Sequence, residues 1–396
     1  MIKKTNLSNF KSHKSTDILL GNLSVFCGAN GVGKSSIIQI FLLLREAFLK
    51  DKSFDILDLK SNPVKIGNVN DAIYEFGDFE GFKIELDFTD NYSCNFYYEA
   101  NSEIEKEKSF IKLNKEKTIT NNEFDPNNQQ LTISNFNKIS LFNENFQYIS
   151  AARKGPQESY SKDSKIVDVH KQISVIEGMA EYFVHFLDTY RNIDVIKELC
   201  ISGDNLYTDL YTQVSHWEKY IFNGANTEVQ DVGKLGYLLK YSFDNEKSTT
   251  KKTKSFDAKN VGFGLTYTLP ILVAILSAKP ASLIIIENPE AHLHPSGIAK
   301  LTELMCIAAQ AGIQIIIETH SDHVINGILV QCKRHETNNE FGVSKDNVSI
   351  YQFERDEKQH CSIAKKIDVE DGGRIRFAPE GFFDQDEKDT DFLFDL

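Results

Sequence analysis

The sequence predicts an α/β protein with a largely parallel sheet and helices on both of its faces. Three short apolar runs, Leu23–Cys27, Ser282–Ile286 and Ile313–Ile317, have the length and composition of buried strands. The first leads directly into a segment with helical spacing, and a predicted helix over Ser296–Ala311 separates the other two. Because such strands are buried on both faces, this order is typical of a parallel sheet covered by helices.

A glycine-rich loop follows the first of these strands. It reads Gly-Ala-Asn-Gly-Val-Gly-Lys-Ser over residues 28–35. Glycines in such a loop let backbone N–H groups converge on phosphate oxygens, the lysine adds positive charge, and the serine hydroxyl can bind Mg²⁺. An ordinary turn is the alternative, but all fixed positions of the phosphate-loop pattern are matched. The predicted nucleotide-binding residues are Gly28, Asn30, Gly31, Gly33, Lys34, Ser35 and Ser36.

Composition and charge limit the classes of function. The 396 residues are 41% hydrophobic and 26% charged, enough for one large domain with an insert or for two domains. The net charge of −13 argues against broad, non-specific binding to DNA. The six cysteines lack CxxC spacing, which favours reduced thiols over disulfides or zinc. Without an apolar leader or a membrane-spanning run, the sequence predicts a soluble cytoplasmic protein.

The N-terminal part of the chain combines predicted strands with one long helix. Strands are expected over Ile2–Leu7 and Ile18–Cys27, and a buried helix over Ser36–Leu49. Alternating apolar residues over Phe82–Phe88 and Ser93–Ala100 predict an antiparallel hairpin. These segments predict a β-rich lobe beside the phosphate loop.

Two polar stretches follow this lobe. Residues 101–130 are rich in Asn, Lys and Glu and are predicted as solvated hairpins and loops. After a predicted strand over Phe146–Ser150, the loop Ala151–Pro156 carries a basic pair next to Gly-Pro. A loop at this place could reach the nucleotide, but a simple turn is favoured.

Residues 166–222 predict a helical insert. Its first half repeats apolar residues at helical spacing, namely Ile173, Ile176, Ala180, Phe183 and Leu187. A second helix is predicted around Leu206–Phe222 and contains Trp217. The insert could be a lever or a docking arm for a partner, but a packed subdomain is the favoured interpretation.

The C-terminal half returns to strands and helices. Strands are predicted over Leu235–Phe243, Lys254–Ala258 and Asn347–Glu354, and an apolar helix over Tyr267–Leu276. From Asp368 onward the chain is acidic and aromatic. These elements complete a second block of α/β structure.

Three motifs follow directly on the ends of predicted parallel strands. They are the phosphate loop, the segment beginning at Glu287 and the segment containing His320. Because ligands of such sheets bind beyond the carboxyl ends of the strands, the three motifs are expected to converge on one site.

These motifs together resemble a known group of ATPases. GANGVGKSS, VGFGLTY, LIIIENPEAHLHP and IIIETHSDH, in this order, resemble the ABC-type ATPase heads of the SMC, RecF and OLD-like group. The resemblance implies a P-loop NTPase of the ABC-ATPase head type, with a mixed sheet, a β-rich lobe and a helical insert. It also implies four divisions: 1–160 and 231–345 for the two halves of the head, 161–230 for the insert, and 346–396 for a C-terminal strand and tail.

A narrower resemblance concerns biological context. YISAARKGP, ETHSDHVINGI and RFAPEGFFDQ resemble a family of small bacterial ATPases with an uncharacterised C-terminal domain. That family includes the ATPase subunits of Septu-type anti-phage systems, which are encoded beside an HNH-type nuclease. The match covers most of the chain and is weakest over residues 101–225.

The resemblance implies roles for individual residues. The loop Gly28–Ser36 would be the Walker A motif, and Glu287, at the end of the Walker B strand, would lie near Mg²⁺ together with Ser35. His320 would be the switch histidine that senses the γ-phosphate, and His292–His294 would lie in a loop at the dimer contact. The signature residues, which would contact ATP held by a second subunit, are Gly262, Gly264 and Thr266.

One departure from the usual pattern concerns catalysis. Most ATPases of this class follow the Walker B carboxylate with a glutamate that polarises the attacking water, whereas Asn288 follows Glu287 here. An amide can orient water but cannot accept its proton. The sequence therefore predicts slow hydrolysis, with Glu290 as the substitute base.

The resulting functional hypothesis is an ATP-binding sensor subunit of an anti-phage complex. It would form a homodimer or a higher oligomer through its nucleotide sites, use ATP and Mg²⁺, and control an HNH-type nuclease, contacting nucleic acid only indirectly and no membrane. The main alternative is a RecF- or SMC-like repair ATPase that binds duplex DNA itself. A transporter ATPase is disfavoured because its usual LSGGQ-like signature is replaced here by VGFGLTY. A zinc or iron cluster of the HLH and HSDH histidines is a further alternative, disfavoured by the ordered ATPase motifs.

Overall fold

The computed structural model describes residues 1–62, 64–122, 133–175, 177–201, 207–376, 382–383, 389 and 392–394. Residues 123–130 of the predicted polar stretch, Ile176, Leu206 and much of the acidic tail lie outside these ranges. No helix within the described ranges is both long and apolar enough to cross a membrane.

Both strands and helices occur throughout the described part of the chain. The strands are β1 (Ile2–Phe10), β2 (His13–Leu19), β3 (Leu23–Gly28), β4 (Ile56–Asp58), β5 (Gly81–Phe88), β6 (Tyr92–Glu99), β7 (Phe110–Leu113), β8 (Ile119–Asn122), β9 (Phe146–Ile149), β10 (Ala225–Asp231), β11 (Tyr237–Phe243), β12 (Phe256–Asp257), β13 (Leu283–Glu287), β14 (Gln314–Glu318), β15 (Val348–Asp356) and β16 (Cys361–Ile367). The helices are α1 (Lys34–Asp51), α2 (Val69–Ala72), α3 (Glu103–Lys106), α4 (Ile133–Phe136), α5 (Phe183–Thr189), α6 (Leu210–Phe222), α7 (Phe263–Leu276), α8 (Pro295–Gln310) and α9 (Asp322–Thr337).

A six-stranded sheet with the order β16-β15-β3-β14-β13-β9 forms the centre of the molecule. All of its neighbouring pairs are parallel except β15 with β16. Along β13, Ile284 and Ile286 pack with α7, α8 and α9, whereas Leu283 and Ile285 pack with α1 and the N-terminal lobe. Burial on both faces explains why these strands are continuously apolar, and the predicted α/β class is confirmed.

An antiparallel sheet with the order β2-β1-β5-β6-β7-β4, in which β8 also pairs with β6, forms the N-terminal lobe. The predicted hairpin corresponds to β5 and β6. Two or three short strands are expected over residues 1–27, and three form; the predicted segment Ile18–Cys27 is divided, because the chain leaves the lobe after β2 and enters the central sheet as β3. The prediction of solvated loops after residue 100 is wrong in part, since β7 joins the lobe and buries Ile111.

The predicted helix over the first half of the insert does not form. A single π-helical turn covers Lys165–Val169, and α5 begins only at Phe183. Ala180 has a left-handed φ of 54°, which ends any helical run before that point. Ile173 and Leu187 are nevertheless buried in the core, so irregular backbone produces the same apolar spacing.

The second helix of the insert, α6, matches its prediction closely. The Asp209 side chain accepts a hydrogen bond from the Thr212 N–H at 3.0 Å and caps the helix. The Trp217 indole N–H donates to the Leu199 carbonyl at 2.8 Å, and the helix packs against α7 and α8. These contacts support the packed subdomain over the projecting arm.

Candidate nucleotide site

The glycine-rich loop connects β3 to α1 in a conformation that requires its glycines. Gly28, Gly31 and Gly33 all have left-handed φ values. A Cβ on Gly28 would lie 2.3 Å from the Phe353 carbonyl oxygen, so the loop packs tightly against β15. The helix begins at Lys34, which leaves its first N–H groups facing the loop.

Lys34 is folded back over this loop. Its Nζ donates to the carbonyl oxygens of Gly28 at 2.9 Å and Ala29 at 2.7 Å and lies 3.9 Å from Glu318. Burial lowers the pKa of Lys34, and the Glu318 carboxylate acts in the opposite direction. The ammonium is thus held at the carboxyl ends of β3 and β14, where the sequence predicted a phosphate.

Glu318 is a site residue that the sequence analysis missed. The Ser35 hydroxyl donates to its Oε1 at 2.9 Å, and its Oε2 is buried without a hydrogen-bond partner among the described residues. Burial and the nearby Glu287 raise the pKa of Glu318. The signal was present, because an apolar run followed by Glu occurs both at Ile284–Glu287 and at Ile315–Glu318.

Glu287 lies beside Glu318 but has different partners. The two glutamates are paired in register on the parallel strands β13 and β14. The Tyr148 hydroxyl donates to Glu287 Oε1 at 2.9 Å, and the Ala151 N–H donates to its Oε2 at 3.0 Å. Glu287 is therefore oriented from the β9 side, and Glu318 joins Ser35 and Glu287 as a candidate for the Mg²⁺ site.

The residues after Glu287 bring two further predicted groups together. Glu290 Oε1 accepts a hydrogen bond from the His320 N–H at 3.2 Å, while Glu290 Oε2 is buried without a partner in the described ranges. Asn288 has a left-handed φ of 45°, a conformation that asparagine tolerates well, and its N–H donates to the Glu318 carbonyl at 2.8 Å. Desolvation and the positive charge of Lys34 lower the pKa of His320. The predicted convergence of the three motifs is thus confirmed.

Arg153 supports this turn and belongs to the segment Ala151–Pro156, which begins with the predicted turn at Ala151 and Ala152. Its side chain is 1% exposed and donates to the carbonyl oxygens of Tyr267 at 2.8 Å, Glu287 at 2.9 Å and Asn288 at 2.9 Å. Burial lowers the pKa of Arg153 to about 10, so it remains charged at neutral pH. The guanidinium connects the loop after β9, helix α7 and the turn after β13.

The structure separates the three predicted signature residues. Gly262 is exposed, with open space where a Cβ would be, and precedes α7. A Cβ on Gly264 would lie 2.6 Å from the His292 carbonyl oxygen, so this glycine permits packing against the turn after β13. Thr266 is fully buried, with its hydroxyl 3.4 Å from that of Tyr241. Because α7 begins at Phe263 and not at Tyr267, Thr266 lies within the helix, and its predicted role as a nucleotide ligand is not supported.

The two histidines of the HLH segment have local structural roles. His294 caps α8, since its Nδ1 accepts a hydrogen bond from the Ser296 N–H at 3.3 Å. The His292 ring packs edge-on against Tyr267, with 4.6 Å between ring centroids. These contacts account for both side chains without a zinc or iron ion, and their place at a dimer contact stays a prediction.

Comparison with protein families identifies the domain. Residues 23–326 match the model of a family described as "AAA domain, putative AbiEii toxin, Type IV TA system". The matched range is more than half of the 396 residues. The chain belongs to this AAA-domain family. Residues 343–393 of the AAA protein also match a family described as "Protein of unknown function (DUF3696)".

This AAA domain is similar in sequence to one curated protein and in fold to two solved structures. The "Old nuclease" of Escherichia phage P2 is 25% identical over 367 residues, which cover 84% of this chain and 59% of that protein. The chain therefore spans less than two thirds of the length of this relative. The structure is similar to the SMC head domain with an extended coiled coil bound to the C-terminal domain of ScpA derived from Pyrococcus furiosus, with a TM-score of 0.51, 14% identity and coverage of 100% of this chain and 98% of that one.

A second SMC head, bound to the C-winged helix domain of ScpA, has the same TM-score of 0.51 and 14% identity and covers 93% of this chain and 98% of that one. These likenesses concern the fold alone. They confirm the predicted fold class, that of an ABC-type P-loop head.

The side chains of the AAA domain fit the predicted Mg²⁺ and nucleotide. The unpartnered Oε2 atoms of Glu318 and Glu290 would each cost free energy if they stayed unsatisfied. Mg²⁺ prefers oxygen ligands and usually takes only one or two carboxylates, with phosphate oxygens and water completing its shell. Ser35, Glu287 and Glu318 are the residues that would hold it. Within the described ranges, no group of three His, Cys, Asp or Glu is placed to bind a metal without such help.

A cleft of about 450 Å³ adjoins the phosphate loop on the side of the N-terminal lobe. Gly31 and Val32 of the loop line it, together with Lys11, Tyr74, Phe76 and His360. The Phe76 ring is 55% exposed and packs against the His360 ring at 5.7 Å between centroids. This cleft next to the loop, lined by aromatic side chains and by charged residues of both signs, offers room for the nucleoside part of a nucleotide.

His13 supports the phosphate loop of the AAA domain, and its burial leads us to expect that the free energy of unfolding depends on pH. It is fully buried, with its Nε2 3.0 Å from the Gly33 carbonyl oxygen and its Nδ1 2.8 Å from the Thr16 hydroxyl. Burial lowers the pKa of His13 to about 4, below the ordinary value of 6.5. As pH falls from 6.5 to 4, the unfolded chain takes up a proton that the folded protein does not, so stability decreases by roughly 3 kcal/mol over this window.

The measurement is the free energy of urea unfolding at several pH values for the wild type and a His13→Gln variant. Glutamine keeps an N–H donor for Gly33 but does not titrate, so its stability is expected to fall less between pH 6.5 and 4. His170→Gln, at an exposed position, controls for loss of a histidine and should keep the wild-type slope. Equal slopes for all three proteins would contradict the assignment.

Proposed function

We propose that this AAA ATPase binds ATP between two copies of the chain, hydrolyses it slowly and thereby controls a partner nuclease in an anti-phage complex. The observation that supports the first part is the cluster at the carboxyl ends of β3, β13 and β14. Ser35 is hydrogen-bonded to Glu318, and Lys34 lies 3.9 Å from the same carboxylate. One Glu290 oxygen has no hydrogen-bond partner among the described residues. This arrangement suits a nucleotide and its metal.

Each of these side chains has a distinct task in the proposed site. Lys34 offers positive charge to the terminal phosphates, and Ser35 and Glu318 hold the metal side. Mg²⁺, when bound, neutralises charge on the phosphate oxygens. Glu290 orients a water molecule and accepts its proton through the oxygen that has no partner. His320, whose pKa is lowered, stays neutral near pH 7 and can donate one hydrogen bond to a phosphate oxygen.

Slow turnover follows from the turn after β13. Most related ATPases have the catalytic base at the position of Asn288. The side chain here is an amide, and the backbone of this residue is left-handed. Glu290 lies two residues further along and is tied to the His320 backbone by one of its oxygens. A base that is already engaged in a hydrogen bond suits a protein that retains ATP as a signal.

The defence role rests on what the relatives are called and on the motifs of the chain. One relative is named a nuclease, and the family description names a toxin of a toxin–antitoxin system. This chain spans 59% of that nuclease, and we assign the nuclease activity to a partner, of the HNH type that the Septu-like resemblance suggests. Contact with nucleic acid would then be indirect.

Light scattering with and without ATP and Mg²⁺ tests the nucleotide part of the proposal. Wild type is expected to dimerise with ATP, whereas Lys34→Ala should lose ATP binding by at least about 100-fold, because its buried charge faces the phosphates. Gly262→Asp should still bind ATP but fail to dimerise, since this exposed glycine would face the second subunit. Gly262 suits the test better than Gly264, where a side chain would collide with His292. Unchanged ATP binding in Lys34→Ala would refute the site.

A phage-challenge assay tests the biological part. Cells that carry this gene with its neighbouring genes should resist infection, and Lys34→Ala should abolish resistance. The purified protein alone should not cleave DNA. Tight, salt-dependent binding of duplex DNA by the protein alone would instead favour the RecF- or SMC-like alternative.

A further inference from the structure

A second cleft, of about 570 Å³, lies away from the phosphate loop. Its walls are the C-terminal half of α1, the segment 137–148 and the segment 166–175, with Gly178. Arg45, Phe146 and Tyr148 line its interior, and Leu49, Val169 and Val175 line its rim. Neither the proposed ATP site nor the family match gives this cleft a role.

Arg45 is a buried positive charge in this cleft. It is 9% exposed and lies over the Phe146 ring at 4.2 Å from its centroid. It donates to the carbonyl oxygens of Leu141 at 2.7 Å and Asn143 at 2.9 Å and, at a longer 3.4 Å, to the Gln172 side-chain oxygen. In the described part of the chain, the acceptors of its hydrogen bonds are carbonyl and amide oxygens and not carboxylates. Desolvation alone lowers the pKa of Arg45 to about 9, as expected for a cation without an acidic partner.

The acidic side chains of the same cleft are engaged elsewhere. Glu144 forms an ion pair with Lys171 at 2.8 Å, and Glu46 accepts a hydrogen bond from the Ser61 hydroxyl. Buried charges are usually paired, so Arg45 is the side chain here that an incoming anion would stabilise most.

The rim of the cleft is apolar and exposed. Leu49 is 47% exposed, Val169 67% and Val175 44%. A ligand that satisfies Arg45 would therefore also bury apolar surface on its way in. This combination selects a molecule with one anionic group and a flat apolar body, which fits within a cavity of this size.

We propose that the cleft between α1 and segments 137–148 and 166–175 binds a small aromatic anion, a carboxylate or a phosphomonoester, with its anionic group on Arg45. Tyr148 extends from this cleft to Glu287, to which it donates a hydrogen bond of 2.9 Å. Helix α1 extends from the cleft to Lys34 and Ser35. The ligand thereby regulates the ATP site, a link that rests on the proposed function.

Calorimetric titration of the nucleotide-free protein tests the cleft alone. The probes are 1-naphthyl phosphate and 1-naphthoate, which distinguish the two anionic groups. The controls are inorganic phosphate, which lacks the apolar ring, and 1-naphthol, which lacks the anionic group. One or both naphthyl anions should bind at least about tenfold tighter than either control, because both contacts contribute. Binding that is equal for 1-naphthol and the anions would overturn the proposal.

Variants locate the binding. Arg45→Met should weaken the anion by at least about tenfold. Because Arg45 also supports two backbone carbonyls, exposed Val169 provides variants that leave the fold intact: Val169→Asp should weaken binding about threefold and Val169→Lys strengthen it by a similar factor. Identical affinities for these two variants would overturn the location.

The link to the ATP site has its own readout. The affinity for the naphthyl anion should change at least about threefold when ATP and Mg²⁺ are added to wild type, and less in Tyr148→Phe, which lacks the bond to Glu287. An affinity that ATP leaves unchanged in wild type would refute the link while the cleft remains. If wild type does not bind ATP at all, the proposed function is refuted, but the titration of the nucleotide-free protein remains a valid test of the cleft.

Discussion

Replacing Glu290 with glutamine is expected to lower the rate of ATP hydrolysis by at least about 100-fold and to leave ATP affinity nearly unchanged. The amide can still accept the hydrogen bond from the His320 N–H, which the Glu290 carboxylate accepts at 3.2 Å. It cannot take a proton from water through the oxygen that is buried without a partner. Steady-state phosphate release and nucleotide titration measure the two quantities separately.

Two further variants make this prediction specific. Glu340→Gln changes an exposed glutamate far along the chain, in the loop after α9, and should hydrolyse ATP like wild type. Asn288→Asp restores a carboxylate where related ATPases have one, and aspartate tolerates the left-handed backbone there. We expect this variant to be faster than wild type. The assignment of the base would be contradicted if Glu290→Gln hydrolysed ATP at the wild-type rate and Asn288→Asp were no faster than wild type.

Replacing Arg153 with alanine is expected to destabilise the protein by roughly 3–5 kcal/mol, because it leaves several buried carbonyl oxygens without a donor. Those carbonyls belong to Tyr267, Glu287 and Asn288, so the loss affects α7 and the turn after β13 together. Urea unfolding measures the free energy, and ATPase assays below the transition should show reduced hydrolysis because the turn carries Glu290.

The control for this prediction is Arg334→Ala. Arg334 forms an ion pair with Glu303 at 2.9 Å, but its side chain is 52% exposed, so the loss should stay below about 1 kcal/mol. Arg153→Lys should be intermediate, since one ammonium cannot serve all the carbonyls that a guanidinium reaches. Equal stability of Arg153→Ala and Arg334→Ala would show that the buried network contributes little.

Apolar residues at helical spacing correctly predicted a helix in only one half of the insert. Leu210–Phe222 forms one helix, as the apolar spacing predicted, and the structure shows that Asp209 caps it. The apolar residues before it have similar spacing, yet Ala180 is left-handed and the segment is irregular until Phe183. Tertiary packing decides such cases, because a side chain can reach the core from irregular backbone as well as from a helix.

Some features of the candidate site could likewise be predicted from local sequence, whereas others depend on contacts between distant segments. The phosphate loop and its helix follow from residues 28–36, and the resemblance placed Glu287 and His320 at strand ends. Glu318 has the same local pattern as Glu287, and nothing local shows which of the two meets Ser35. The order of the strands decides it: β14 lies between β3 and β13, so Glu318 is the carboxylate bonded to the Ser35 hydroxyl.

The sequence by itself determined the phosphate loop, the buried parallel strands and the absence of a carboxylate at position 288. Each of these depends on residues that are close together in the chain, where residue type and spacing act directly on the backbone. Only the tertiary structure decided that Glu318 meets Ser35, that Arg153 supports the turn after β13 and that Thr266 is buried. Those facts depend on which distant segments become neighbours when the sheet forms, and strand order is a property of the whole fold.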